Sequence, residues 1–242
     1  MQSNSKITTV EKRVAFYECD YKKRLRLSQI LKYAAEIAGF DFSNKGYSHQ
    51  YLWDKGMVFL VSKVSFKVIS YPCDQQDISI STWVEGTKGA EYLRCFEIDD
   101  KEGNPLVQGK SRWILVEPEK RKIIRPSSVD FGLMENVERE NAALSPEKIK
   151  CDDLKLIGSR EIRISDIDAN GHVYNAVYSD IAVDFLGIDE YSNDVDNFRI
   201  NFINEAKLGD VINIYISYGG KRAVISGMCE EKKCFETEFL FK

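Results

Sequence analysis

The chain carries one order of elements twice, and this internal repeat limits its fold more than any other feature of the sequence. A shift of 148 residues superimposes four similar pairs: Asp20 on Asp168, Leu25 on Val173, Ala34 on Ala182 and Gly39 on Gly187. A shift of 133 residues then lays Pro72 on Glu205 and Asp77 on Asp210. The repeat predicts an α+β fold made of two copies of one unit, each a strand, a long helix and a curved antiparallel sheet.

Hydrophobic periodicity gives the same order in each copy. In the first copy, a strand at residues 14–19 precedes a helix that Ser28 caps and Gly39 ends, and in the second, a strand at 160–165 precedes a helix from Asn175 to Gly187. Alternation with period two then predicts four strands in each copy. These strands are predicted at residues 58–69, 78–84, 92–98, 110–116, 198–203, 211–218, 223–229 and 234–241.

A charged stretch with few aromatic residues separates the two copies. It contains Pro126 and Pro146, and we interpret it as a linker with a short helix. The predicted division is an N-terminal unit at residues 1–130, a linker at 131–158 and a C-terminal unit at 159–242.

Composition excludes several classes of protein. Of the 242 residues, 43% are hydrophobic and 30% charged, which is typical of a soluble globular protein. The net charge of −4 argues against nucleic-acid binding, and no apolar run is long enough to span a membrane, so we expect a cytoplasmic protein. The six cysteines form no C-x-x-C pair and the chain has two histidines, so we expect no metal and no cofactor.

The strongest candidate site precedes the helix of the second copy. Asp168, Asn170 and His172 lie within five residues, next to backbone N–H groups that the first turn of a helix leaves unpaired. Such a position stabilises an acyl oxygen that becomes negative during reaction. Glu205 ends a later strand and can take a proton from water. The first copy has Arg24 in place of His172, so we expect one active site per chain.

The residues 165–175, read Ser-Asp-Ile-Asp-Ala-Asn-Gly-His-Val-Tyr-Asn, closely resemble the signature of plant and bacterial acyl-acyl-carrier-protein (acyl-ACP) thioesterases, a double hotdog family. The likeness covers nearly the whole chain, including residues 17–39, the run at 112–114, and the 33 residues from His172 to Glu205. The resemblance implies two tandem hotdog units, each a long helix wrapped by a curved antiparallel sheet.

The same resemblance implies a function. Asp168, Asn170, His172 and Glu205 match the family's catalytic residues, which hydrolyse a long-chain acyl-ACP thioester by activating water and release a free fatty acid. Many plant members have a cysteine after the glutamate, and Ala206 stands there in this chain, which argues against a covalent cysteine route. The chain also lacks the plastid-targeting extension of plant members, which points to a bacterial, cytoplasmic enzyme.

The implied partner is acyl carrier protein, a small acidic protein. Two basic runs are candidate docking patches: Lys22, Lys23, Arg24 and Arg26, and separately Lys120, Arg121, Lys122 and Arg125. A homodimer is also possible. Four residues of the first helix are candidates to close an acyl tunnel: Ile30, Tyr33, Ile37 and Phe40.

Three alternatives stay open at this point. The chain could be an acyl-coenzyme A thioesterase of the same fold, which side-by-side hydrolysis assays would distinguish. It could be an enoyl-thioester hydratase, a weaker alternative because Gly171 directly precedes His172. It could also be a hotdog protein that binds acyl chains without hydrolysing them, in which case replacing Glu205 would change nothing.

Overall fold

The computed structural model describes residues 6–242 except 121, 130, 132–136 and 138. The first half consists of β1 (Ile7–Arg13), α1 (Leu27–Asn44), α2 (His49–Asp54), β2 (Val58–Val68), β3 (Asp77–Lys88), β4 (Glu91–Asp100), β5 (Pro105–Glu117) and β6 (Lys122–Ile124). The second half consists of β7 (Lys155–Glu161), α3 (Asn175–Leu186), α4 (Ile188–Ser192), β8 (Val195–Phe202), β9 (Val211–Gly219), β10 (Arg222–Cys229) and β11 (Lys232–Phe241).

The eleven strands of the described residues join in one antiparallel sheet. Its order is β1-β3-β4-β5-β2-β8-β11-β10-β9-β7, with β6 paired to β5. The first five strands and the last five have the same internal order in opposite directions, and the halves meet where β2 pairs with β8. At that joint Ser65 lies opposite Arg199. The predicted fold of two tandem hotdog units is confirmed.

The core lies between the sheet and the two long helices. The apolar stripes of α1 and α3 face each other and the sheet, and residues such as Ile30, Ile37, Ile181 and Ala182 are buried in one continuous cluster. Burying an isoleucine side chain contributes about 1.5–3 kcal/mol. Among the described residues, no helix combines the length and apolarity needed to cross a membrane.

The eight strands predicted from alternation are confirmed, although β5 begins five residues earlier than predicted (110 − 105 = 5) and β3 ends four residues later (88 − 84 = 4). The two strands predicted at residues 14–19 and 160–165 are displaced: β1 and β7 begin several residues earlier and each is followed by a short 3-10 turn. Carboxylates close these turns, since Glu18 accepts the amide N–H of Ala15 at 2.9 Å and Asp166 acts likewise in the second half.

The predicted ends of α1 are wrong. Ser28 lies inside the first turn and Gly39 lies within the helix. The helix ends because Gly46 adopts a φ of 90°, and the amide N–H of Tyr47 then bonds back to the carbonyl of Phe42 at 2.9 Å. A glycine inside a helix weakens it without ending it when the backbone keeps helical angles.

The ends of α3 follow the prediction more closely. Gly187 ends the helix with a φ of 92°, as predicted. Asn175 is the first helical residue, and Tyr174 rather than Asn175 occupies the N-cap position.

Part of the predicted linker packs against the sheet. Asn141 donates to the carbonyl of Gly109 at 3.2 Å, and Arg112 donates to the Ser145 hydroxyl at 3.0 Å. The described residues between 131 and 154 form no helix. Strand β7 begins at Lys155, inside the stretch assigned to the linker, and the division at 130 and 159 stays a prediction.

Candidate active site

A closed loop before α3 carries three of the four predicted site residues. The carboxylate of Asp168 accepts the amide N–H of Asn170 at 2.8 Å and that of His172 at 3.5 Å. The amide N–H of Asp168 bonds to the carbonyl of His172 at 2.9 Å, which closes the loop. Gly171 adopts a φ of 81°, a conformation that favours glycine. The loop is therefore closed by hydrogen bonds among its own residues.

The segment containing Glu205 is held against this loop from two sides. The amide N–H of Val173 donates to the carbonyl of Ala206 at 3.0 Å. The amide N–H of Ala206 donates to the hydroxyl of Tyr178 at 3.0 Å, and Tyr178 is buried in α3. The residue after Glu205 is thus fixed both to the loop and to the helix that follows it.

These contacts bring His172 and Glu205 together. The Nε2 atom of His172 lies 3.2 Å from the Oε2 atom of Glu205. The side chains are 32% and 60% exposed, so water can reach the pair. The side-chain amide of Asn170 donates to the Asp168 carboxylate at 3.4 Å. A carboxylate on an imidazole, open to water and beside a helix N-terminus, can activate water for attack on an acyl group.

Two tyrosines connect the loop with its surroundings. Burial raises the pKa of Tyr178 well above its ordinary value. Burial also raises the pKa of Tyr174, and the nearby carboxylates of Glu36 and Asp168 add to the rise. Glu36 belongs to α1, so Tyr174 places the candidate site beside the long helix of the other half.

The first half contains a loop with the same hydrogen bonds. The carboxylate of Asp20 accepts the amide N–H of Lys22 at 2.8 Å and that of Arg24 at 2.9 Å. The amide N–H of Asp20 bonds to the carbonyl of Arg24 at 2.7 Å. The predicted match of Arg24 with His172 is therefore confirmed by the geometry of both loops.

The predicted match of Pro72 with Glu205 is wrong by one residue. The amide N–H of Leu25 donates to the carbonyl of Pro72 at 2.8 Å, just as Val173 donates to Ala206. The shift is therefore 206 − 72 = 134 residues, and Tyr71 occupies the place of Glu205. The shift of 133 residues had matched Asp77 with Asp210, and these two residues occupy neighbouring, not equivalent, positions.

Arg24 and Tyr71 form a contact of a different kind. The Arg24 guanidinium lies 4.4 Å from the centre of the Tyr71 ring. It also pairs with Asp20 at 2.9 Å and with Asp194 at 2.8 Å. Arg24 is buried with its charge neutralised, so the prediction that it docks a partner is wrong.

Some of the other predicted docking residues already have partners within the chain. Lys22 donates to the carbonyl of Ser192 at 2.6 Å, and Lys120 pairs with Glu117 at 2.6 Å. Arg121 lies outside the described residues. Lys23, Arg26, Lys122 and Arg125 are exposed.

An apolar pocket of about 170 Å³ lies in the first half. Helix α1 contributes Ala35, Ala38 and Gly39, which flank the Glu36 that neighbours Tyr174. The rest of the wall is formed by Phe42, Tyr47, His49, Leu52, Val58, Phe59, Val84, Tyr92, Leu93, Arg94, Trp113 and Phe131. The pocket therefore uses the stretch of α1 that also contains Glu36, whose carboxylate raises the pKa of Tyr174.

The four residues predicted to close an acyl tunnel do not line this pocket. Ile30, Tyr33 and Ile37 are buried in the core on the opposite stripe of α1, and Phe40 is 48% exposed. The pocket uses the stripe with small residues, since small side chains leave space between a helix and a sheet.

Three residues near the site and the pocket were not predicted from the sequence. Tyr178 anchors the segment next to Glu205, and its position in the apolar stripe of α3 concealed this role. Tyr92 and Arg94 line the pocket from β4. An arginine alternating with apolar residues on a predicted buried strand was the available signal.

Comparisons with known proteins cover almost the whole chain. A family model described as the acyl-ACP thioesterase N-terminal domain matches residues 6–128, and one for the C-terminal domain matches residues 151–240. No curated protein sequence matches the chain.

Solved structures of similar fold include two thioesterases. One is an acyl-ACP thioesterase from Bacteroides thetaiotaomicron, with 20% identity, a TM-score of 0.92 and coverage of 98% of each chain. The other is a 12:0-ACP thioesterase from Umbellularia californica, with 15% identity, a TM-score of 0.85 and coverage of 100% of this chain and 99% of that one. At these identities the likeness shows the fold.

Proposed function

The chain belongs to the acyl-ACP thioesterase family of thioester hydrolases, and on that premise we propose that it hydrolyses long-chain fatty acyl-ACP at the pair formed by His172 and Glu205. The observation that carries the proposal is the 3.2 Å approach of these two side chains beside the N-terminus of α3. The proposal includes a cytoplasmic location and a role in fatty acid biosynthesis.

Glu205 acts as the general base in this mechanism. Its carboxylate takes a proton from a water molecule that His172 helps to orient, and the water oxygen attacks the thioester carbon. The carbonyl electron pair moves to the oxygen, which the backbone N–H groups at the start of α3 stabilise. When the tetrahedral intermediate collapses, the C–S bond breaks and the leaving thiolate receives the proton from Glu205.

Asp168 and Asn170 support this reaction from the loop. Asp168 keeps the loop closed through the amide N–H groups of Asn170 and His172. Asn170 is exposed at the loop surface, where its amide can donate to the acyl oxygen. We assign Asp168 a positioning role and Asn170 a role in binding the substrate.

The pocket of the first half receives the acyl chain. Its wall is mainly aromatic and aliphatic, which favours a hydrocarbon chain. The carboxylate of Glu36 in α1 raises the pKa of Tyr174, which follows the loop of the second half, and Glu36 lies in the sequence among the three small residues of the pocket wall. An acyl chain that enters the pocket from this side has its thioester near His172. We assign a long acyl chain to the pocket.

The carrier protein is the proposed partner, with the exposed Lys23 and Arg26 or Lys122 and Arg125 as candidate contacts for its acidic surface. A coenzyme A thioester is the competing substrate. Carrier preference is tested by measuring kcat/KM for acyl-ACP and acyl-coenzyme A of equal chain length. A drop in the acyl-ACP value alone when the basic residues are neutralised supports carrier docking.

The decisive experiment measures fatty acid release from a panel of acyl-ACP substrates. We compare the wild type with Glu205→Gln and His172→Ala, using Glu102→Gln as a matched control because its side chain is also 60% exposed. Each site variant is expected to lose about 100-fold or more in kcat, as is typical when a general base or polarising group is removed. The control is expected to keep wild-type activity.

Unchanged turnover in Glu205→Gln contradicts the proposed mechanism. Acyl binding without hydrolysis in the wild type favours the non-catalytic alternative. The chain-length profile of the wild type checks the long-chain assignment, because a preference for short chains contradicts it.

A further inference from the structure

Two side chains of the pocket wall carry polar groups that are buried. Tyr92 is 6% exposed and Arg94 is 5% exposed, and both line the cavity. Within the described part of the chain, the Tyr92 hydroxyl and the Arg94 Nη2 atom are buried without a hydrogen-bond partner. Buried hydrogen-bonding groups are normally paired, so these two atoms require an explanation.

The Arg94 guanidinium is fixed in its position. Its Nη1 atom lies 2.8 Å from the Asp41 carboxylate and donates to the Thr82 hydroxyl at 3.1 Å. Asp41 is fully buried, and it accepts the Thr8 hydroxyl at 2.7 Å and pairs with Lys45 at 2.7 Å. The ion pair thus uses one nitrogen of the guanidinium and leaves Nη2 free.

The Arg94 side chain contributes to the pocket wall. The central carbon of its guanidinium lies 5.2 Å from the centre of the Phe42 ring, which is part of the pocket wall. Tyr92 packs edge-on against another wall residue, Phe59, with ring centres 5.0 Å apart. Because Tyr92 and Arg94 are two residues apart in β4, their side chains point to the same face of the sheet.

The Tyr92 hydroxyl is available as a donor at neutral pH. Burial raises the pKa of Tyr92, so the phenol keeps its proton. Arg94 donates from Nη2 because a guanidinium has only N–H donors. An unsubstituted hydrocarbon offers no acceptor to either group, whereas an oxygen substituent can accept a hydrogen bond from such donors.

We propose that this pocket selects acyl chains bearing an oxygen substituent, a hydroxyl or an oxo group, which accepts hydrogen bonds from the Tyr92 hydroxyl and Arg94 Nη2. The inference rests on the proposed function for the entry of the acyl chain. It deepens that function by naming the class of acyl group. A site built to hydrogen-bond an oxygen discriminates strongly against the analogue that lacks it.

The test measures binding, which does not depend on turnover. Free fatty acids of one length, unsubstituted or with a hydroxyl or an oxo group at successive carbons, displace a fluorescent fatty acid from the protein. Wild type is compared with Tyr92→Phe, and Tyr47→Phe is the matched control because Tyr47 lines the same pocket and is only half-buried. Thermal unfolding of each variant verifies that the fold is kept.

In the wild type, at least one substituted position is expected to bind about 10-fold more tightly than the unsubstituted chain, as a buried hydrogen bond to a charged group allows. Tyr92→Phe is expected to lose most of that preference, and Tyr47→Phe to keep it. Preference in both the hydroxyl and the oxo series identifies an acceptor oxygen, and preference in one series identifies which group is bound.

Equal binding of substituted and unsubstituted chains overturns the inference, since water then satisfies the two groups. Displacement by no fatty acid also overturns it. An equal loss for all ligands in Tyr92→Phe assigns this residue to packing and overturns its role in selection. Absence of hydrolysis by the wild type refutes the proposed function. The binding result then decides the inference separately.

Discussion

The Arg24 guanidinium lies 4.4 Å from the centre of the Tyr71 ring. In the second half, the same two places hold His172 and Glu205, 3.2 Å apart. Each pair depends on a loop of the same kind. Asp20 closes the loop in the first half, and Asp168 closes it in the second half. One backbone arrangement therefore supports a solvent-accessible acid-base pair in one half and a buried ion-pair cluster in the other.

Removal of the Arg24 side chain is expected to destabilise the protein by about 3–5 kcal/mol, because the buried carboxylate of Asp20 loses its partner. Urea unfolding measures the change. The matched control is Arg13→Ala, which breaks an exposed pair with Asp77 and is expected to cost less than about 1 kcal/mol. Equal losses in the two variants would contradict a structural role for the Arg24 cluster.

Asp168→Asn is expected to keep kcat/KM within about 10-fold of wild type, since an amide oxygen can still accept the loop N–H groups. Asp168→Ala removes the acceptor and is expected to lose about 100-fold, because small displacements of catalytic groups are costly. Steady-state hydrolysis of acyl-ACP compares the two. If Asn loses as much as Ala, the negative charge itself is needed.

Tyr178→Phe leaves the buried amide of Ala206 without an acceptor. We expect a loss of about 1–3 kcal/mol in the free energy of unfolding and a lower kcat, because Glu205 adjoins that amide. Urea unfolding and fatty acid release measure the two effects. Tyr51→Phe, at an exposed position, is the control and should change neither. A stable, fully active Tyr178→Phe would show that this hydrogen bond does not hold Glu205.

Asp99 gives the protein a pH-dependent stability. Burial raises the pKa of Asp99 to about 6, and the neighbouring Glu97 adds to the rise. The folded state therefore holds this proton more tightly than the unfolded chain, so its stabilising contribution is present below about pH 4 and is lost as the pH rises through about 6.

Asp99→Asn stays neutral at every pH. The variant is expected to match wild type near pH 4 and to exceed it by about 1–3 kcal/mol near pH 7.5, measured by urea unfolding at both values. Asp100→Asn, at the last residue of β4, is expected to show no such gain, because hydrogen bonds from Asn104 lower the pKa of Asp100. A gain for Asp99→Asn at pH 4 alone would reverse the sign and contradict the assignment.

The sequence predicted the repeated elements well because long periodic segments reflect burial on one face. It failed at their ends. The side chain of Glu18 decides where β1 stops, and the positive φ of Gly46 decides where α1 stops. Gly39 and Gly46 carry the same local signal for a helix end, and the sequence alone does not distinguish them. The loop at Asp168 was accessible to prediction because its residues are contiguous and its hydrogen bonds are internal.

Other parts of the site depend on contacts between distant residues. The distance from His172 to Glu205 is set by the Tyr178 hydroxyl and by a backbone bond to Ala206. The pocket arises where the small residues of α1 face the sheet, and its polar groups come from β4. Such features follow from tertiary packing, which periodicity within one segment does not encode.

The pairing of β2 with β8 affects how the two halves can evolve. In a symmetric pair of identical subunits, every substitution appears twice, so a change that suits one half is imposed on the other. Here both halves belong to one polypeptide and share the sheet at Ser65 and Arg199. Each half can therefore mutate alone. The half with the His172–Glu205 pair and the half with the apolar pocket can change independently during evolution.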